Sequence, residues 1–155
     1  MIVIDASAML EVLLRTSAAE AVERQLFDSR QTMHAPHLID VEVAQVIRRY
    51  AATRELDADR GRAALADLVD FPLRRYPHDL LLPRVWELRN NLTAYDAVYV
   101  TLAEALDAPL LTRDERLATA DLACIYTRRM SSALSQPAFT ILLWFVRVCL
   151  NSSRA

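Results

Sequence analysis

Four carboxylates stand apart from the other acids of this chain by what surrounds them. Asp5 closes the apolar run Met1–Ile4, and Glu42 interrupts the apolar segment Val41–Ala44. Asp96 lies just inside the apolar stretch Ala94–Val100, and Asp114 follows Pro109–Thr112 by two residues. An ionised carboxylate in such company is costly unless it is paired, bound to a cation or open to a cleft. Taken singly, each has an ordinary explanation. Asp5 and Asp114 could cap helices, Asp96 could favour a helix N-terminus, and Glu42 could face solvent from a helix whose apolar stripe lies elsewhere. Taken together, at corresponding ends of an α/β sheet, they would share one crevice beyond the carboxyl ends of the strands. Such a crevice carries a strong negative potential and raised carboxylate pKa values unless a cation is bound. Mg²⁺ or Mn²⁺ suits an all-oxygen site of this kind.

The composition removes competing chemistries. The 155 residues include one glycine (Gly61), two cysteines (Cys124 and Cys149) and three histidines, and all 18 basic residues are arginines. A phosphate-binding loop, a dinucleotide fingerprint and a nucleophile elbow need glycines that the chain lacks. Schiff-base catalysis needs a lysine. Two isolated cysteines make neither a Cys-rich zinc site nor a disulfide framework. His34 and His37 are separated by Pro36, which argues against a shared helical face, and His78 has no evident partner. The net charge of −2 argues against a globally basic nucleic-acid binder, though a local basic face remains open. The opening M-I-V-I-D is no secretory signal, and the longest apolar window, Ala138–Leu150, is short for a membrane span, so a cytoplasmic protein is expected.

The elements that must position the acids alternate in type. Met1–Ile4 reads as a buried strand, followed by a helix capped by Ser7 with Met9, Leu10, Leu13 and Leu14 in period. A helix over Ser17–Phe27 leads to a short strand Thr32–Ala35, and His37–Ala52 forms a third helix with Ile39, Val43, Val46, Ile47 and Tyr50 on one stripe. Asp57 caps a helix through Leu65, Leu68 and Val69 that stops before Pro72; Leu73–Tyr76 is a strand. Leu80–Arg89 and Ala94–Leu106, the latter capped by Thr93, are helices. Pro109–Thr112 is a buried strand, Asp114 starts a short helix, and Leu122–Tyr126 is a last strand. This order predicts an α/β fold, a parallel sheet covered on both faces.

Residues 131–155 differ in character. They hold two arginines and no acid, against sixteen arginines and all 20 acids in the first 130 residues. The expected organisation is a domain over 1–130 and an atypical C-terminal tail over 131–155, either a hydrophobic docking element or the product of an altered reading frame.

Four segments, M-I-V-I-D-A-S-A, H-A-P-H-L-I-D-V-E-V, N-L-T-A-Y-D-A-V-Y-V-T-L-A-E and L-L-T-R-D-E-R-L, occur in that order. The ordered set resembles the PIN-domain ribonucleases, specifically the VapC toxins of bacterial toxin–antitoxin pairs. The resemblance covers roughly residues 1–120. It implies a three-layer α/β/α sandwich with a mainly parallel central sheet and an Mg²⁺- or Mn²⁺-dependent endoribonuclease. It places the family's acidic quartet on Asp5, Glu42, Asp96 and Asp114, with Asp5 and Asp96 as direct metal ligands. Glu42 and Asp114 would complete the site through water or a second ion, and Ser7 and Thr112 would support the acids. It also implies a homodimer, tight binding of a cognate antitoxin across the cleft, and assembly into a toxin–antitoxin hetero-oligomer.

Among the arginines, Arg15 and Arg113 are the candidates for RNA contact, being nearest the expected crevice. Arg48, Arg49, Arg54, Arg60, Arg62, Arg74 and Arg75 read mostly as solvated helix surface, and Trp86 and Tyr99 as packing residues. The competing function is a catalytically silent PIN-like module that binds protein or RNA; four converging acids disfavour it. A receiver domain or a haloacid-dehalogenase-like phosphatase would need a lysine.

Overall fold

The computed structural model describes residues 1–27, 31–114, 117 and 127–129. In chain order the elements are β1 (Ile2–Ile4), α1 (Ala6–Leu14), α2 (Ala19–Leu26), β2 (Met33–Pro36), α3 (Leu38–Ala52) and α4 (Ala58–Asp70). They continue as β3 (Leu73–Tyr76), α5 (Leu82–Glu87) with a 3₁₀ turn at Leu88–Asn90, α6 (Ala94–Leu106), β4 (Leu110–Thr112) and β5 (Thr127–Arg129).

The five strands form one sheet in the order β3-β2-β1-β4-β5, with every neighbouring pair parallel. Ile2, Val3 and Ile4 of the central strand are fully buried, as an uninterrupted β-branched run requires. Helices α1 to α4 pack on one another, with α1 against β4 and α3 against β2, while α5 packs on α6, which lies along β1, β2 and β4. The result is the expected three-layer α/β/α sandwich. Strand order runs outward in opposite directions from β1 and β4, so the topological switch point falls between them, with Asp5 and Asp114 just beyond their carboxyl ends.

Local chemistry sets most element boundaries as the sequence predicts. Asp57 caps α4 by accepting from the amides of Asp59 and Arg60, and Thr93 caps α6 by accepting from that of Asp96. The lone glycine sits where α4 crosses α3: a Cβ at Gly61 would meet Ile47 Cγ2 at 3.1 Å. With no other glycine available, Arg15 (φ 53°) and Asp107 (φ 46°) take up the left-handed conformation that ends α1 and α6.

Several expectations need correction. The N-cap of α1 is Asp5; Ser7 lies within the helix. The helix expected over Leu80–Arg89 is shorter and tightens into a 3₁₀ turn. The observed edge strand lies at Thr127–Arg129, and the strand expected at Leu122–Tyr126 lies outside the described residues. So do the helix expected after Asp114, apart from Leu117, and the tail over 131–155. No helix among the described residues is long and apolar enough to cross a membrane.

Candidate active site

Asp5 is the anchor of the site. As the N-cap of α1 it accepts the Ala8 amide (3.0 Å) and the Ser7 hydroxyl (2.7 Å) on Oδ1, and the Thr112 hydroxyl (2.5 Å) on Oδ2. Cap and candidate functional acid are therefore one carboxylate in both roles. It is 5% exposed. Burial pushes its carboxyl above the ordinary range, against the hydrogen bonds from Thr112, Ser7 and Ala8 that pull it down.

The supporting hydroxyls each serve two strand ends. Thr112 Oγ1 donates to Asp5 and accepts the Asp114 amide (2.9 Å), while Ser7 Oγ donates to Asp5 and accepts the Arg113 amide (2.8 Å). The loop carrying Asp114 is thus tied to the acid that ends β1. Asp96 is placed by its helix cap, since the Thr93 hydroxyl donates to its Oδ2 (2.8 Å) and accepts its amide (3.2 Å).

Glu42 reaches the site from the second turn of α3. The phenol of Tyr99 donates to its Oε2 at 2.5 Å. Burial raises the Glu42 carboxyl, the charges of Asp5 and Asp96 raise it further, and Tyr99 opposes them. Tyr99 is itself 3% exposed, and its phenol is pushed far up by burial and by the Glu42 carboxylate. Tyr99 packs as the sequence predicts, but it also holds a catalytic candidate in place. The available signal is its position three residues after Asp96, on the same helix face.

All four acids line one cavity of about 750 Å³. It runs between α1 and α3, walled by Leu10, Leu14, Leu38, Val41 and Val46, with Tyr95 of α6 at the acidic end. Glu11 also lines it and pairs with Arg113 (Nε to Oε1, 3.1 Å). Arg15, at the C-terminus of α1, is not part of the lining. Arg49 is, seven residues beyond Glu42 on α3. Other arginines that read as solvated are fastened to the fold: Arg75 pairs with Asp40 (2.9 Å) and donates to the Leu68 carbonyl (2.8 Å), and Arg60 donates to the Leu13 carbonyl. His34 bonds Tyr76 and Thr32 (2.8 Å each) inside the sheet, a structural role.

The donor set fits a hard divalent ion. It is all oxygen, and two of its carboxylates are held above their ordinary range by burial, with like charge adding to it at Glu42. Among the described residues no three carboxylates or imidazoles already stand in a coordinating cluster. The acids line a wall rather than enclose a cage, an arrangement suited to an ion that keeps several waters.

The family model for the PIN domain matches residues 2–122. The chain belongs to the PIN-domain family. This PIN domain is 44% identical over 119 residues to ribonuclease VapC1 of Mycobacterium tuberculosis, covering 76% of this chain and 89% of the relative. It is 48% identical over 117 residues to ribonuclease VapC9 of the same organism, covering 76% of this chain and 88% of that one. Those identities place it in the VapC branch of the family. Among solved structures, the Mycobacterium tuberculosis toxin VapC20, which cleaves the sarcin–ricin loop, superposes with a TM-score of 0.61 at 15% identity, covering 78% of this chain and 95% of its own. At that identity the likeness carries the PIN fold.

Proposed function

We propose that this PIN domain is a divalent-cation-dependent endoribonuclease, the toxin of a type II toxin–antitoxin pair, which hydrolyses RNA phosphodiester bonds. The observation that carries the reading is the convergence of Asp5, Glu42, Asp96 and Asp114 on one cavity beside the switch point, in a chain of VapC-type sequence. Asp5 and Asp96 would hold Mg²⁺ or Mn²⁺. When bound, the ion supplies Lewis acidity toward the phosphate and lowers the pKa of a water.

The chain's own residues do the rest. Ser7, Thr112 and the Ala8 amide hold the Asp5 carboxylate in one orientation, and Thr93 does so for Asp96. Tyr99 occupies Oε2 of Glu42, which leaves Oε1 to orient a water. Asp114, exposed and on the cavity lining, or Glu42 would take a proton from the attacking water. The expected partners are RNA as substrate, a second copy of the chain and a cognate antitoxin that covers the cavity, in the cytoplasm.

The test is cleavage of a total RNA panel with Mg²⁺ or Mn²⁺, with EDTA and Asp96→Asn as controls. Cleavage should require the cation and vanish in Asp96→Asn, which keeps the Thr93 bond and the fold. A protein that cuts no RNA with either ion, yet binds RNA or an antitoxin, is the silent binding module instead.

A further inference from the structure

The groove between α1 and α3 is chemically lopsided. One end holds Asp5, Glu42, Asp96 and Asp114, and Glu11 is neutralised by Arg113. Arg49 is the cationic side chain that lines it among the described residues. It makes no ion pair with another described residue, and its guanidinium carbon lies over the Tyr50 ring, 5.4 Å from the ring centre. A guanidinium lying over a ring can still offer its edge donors to a bidentate acceptor. Two turns of α3, about 10 Å, separate Arg49 from Glu42. At the acidic end Tyr95, next to Asp96, is 63% exposed, a large aromatic face left open on the cavity wall.

A polyanion meeting four carboxylates is repelled unless something at a distance anchors it. A guanidinium fork such as that of Arg49 suits a phosphate oxygen pair. An exposed ring beside the acids is built for an unstacked base, which single strands present and duplexes do not. We infer that the groove is a single-stranded RNA subsite in which Tyr95 stacks a base beside the scissile bond and Arg49 clamps a phosphate at the far end of the groove. This rests on the ribonuclease reading above and names the residues that hold the strand.

The test uses the full chain carrying Asp96→Asn to prevent cutting, with a short fluorescein-labelled single-stranded RNA of mixed sequence titrated over a range of salt. Arg49→Gln should reduce the slope of log affinity against log salt by about 0.7, the signature of one lost phosphate on a single strand, and Arg49→Lys should retain it. Tyr95→Ala should weaken binding about 5- to 150-fold without changing the slope, and Tyr95→Phe should restore it. Thermal melts of each variant separate loss of contact from loss of fold. An unchanged slope in folded Arg49→Gln, or unchanged affinity in folded Tyr95→Ala, overturns the subsite. So does a result in which these variants lose antitoxin binding but keep RNA affinity, which makes the groove a protein-docking surface. Failure of the underlying reading looks different, because the unmutated protein then cuts no RNA with either ion, whether or not it binds RNA.

Discussion

Replacing Tyr99 with Phe removes the phenol that lowers the Glu42 carboxyl and that also meets the Ala6 amide. The ring is 3% exposed and Phe fills the same space, so packing is preserved. What disappears is the donor 2.5 Å from Glu42 Oε2, together with an acceptor for the Ala6 amide. Hydrogen bonds to a charged acceptor contribute about 1.5–3 kcal/mol, and a tenfold change in proton affinity corresponds to about 1.4 kcal/mol. Water reaching the half-buried carboxylate replaces part of the loss, so a change of about tenfold is expected. The direction is upward, because Tyr99 is the influence that lowers this carboxyl while burial, Asp5 and Asp96 all raise it. The assay is a carboxyl ¹³C titration of Glu42 in EDTA, where no divalent ion competes. A second consequence follows from linkage. A carboxylate whose folded pKa lies above its unfolded value costs nothing when protonated in both states, and the cost grows as pH rises through the folded value. Tyr99→Phe should therefore lose about 1.4 kcal/mol of stability at neutral pH for each tenfold gain in the proton affinity of Glu42, a pH-dependent part that disappears below the unfolded pKa and leaves only the constant loss at the Ala6 amide. A midpoint for Glu42 that stays in place or moves down refutes the reasoning.

Two further outcomes follow from Asp5 and the cavity it anchors. Asp5→Ala removes the cap of α1 along with the acid, and should cost about 0.5–2 kcal/mol in denaturant unfolding, whereas Asp5→Asn, which still accepts the Ala8 amide, should fold near normally. Both should abolish cleavage, and full activity in either would remove Asp5 from the site. Burial raises both Asp5 and Glu42, so the folded protein binds protons more tightly than the unfolded one there. Without divalent ions, stability should fall as pH rises from about 4 through the raised pKa values. Mn²⁺ should restore part of it at neutral pH, and a melting temperature there that ignores Mn²⁺ counts against an ion at these acids.

Much of the fold follows from local rules that act within a few residues. The buried run Ile2–Ile4, the caps at Asp57 and Thr93 and the break before Pro72 need no distant partner, so the strands and most helix boundaries are legible in the amino-acid order. The acids are legible for the same reason, since each interrupts apolar sequence or ends a strand. Asp5 shows where local rules fall short: capping and a place in the cavity look like alternatives along the chain, and one carboxylate combines them, with one oxygen on the Ala8 amide and the other on the Thr112 hydroxyl.

Tertiary structure decided what depends on how the helices are rotated against each other. Tyr99 meets Glu42 across 57 positions, and Arg113 meets Glu11 across 102, pairings that no local period encodes. Of the neighbours Arg48 and Arg49, only the second lines the groove, because each residue turns about 100° around α3 and the helix packs with one particular side toward α1. By itself, the sequence determined the alternating elements and singled out the four acids that line the cavity, through spacing, composition and short-range hydrogen bonding. Only the folded chain decided which tyrosine holds which acid and which arginine faces the cavity, because those contacts are chosen by packing between elements far apart in the chain.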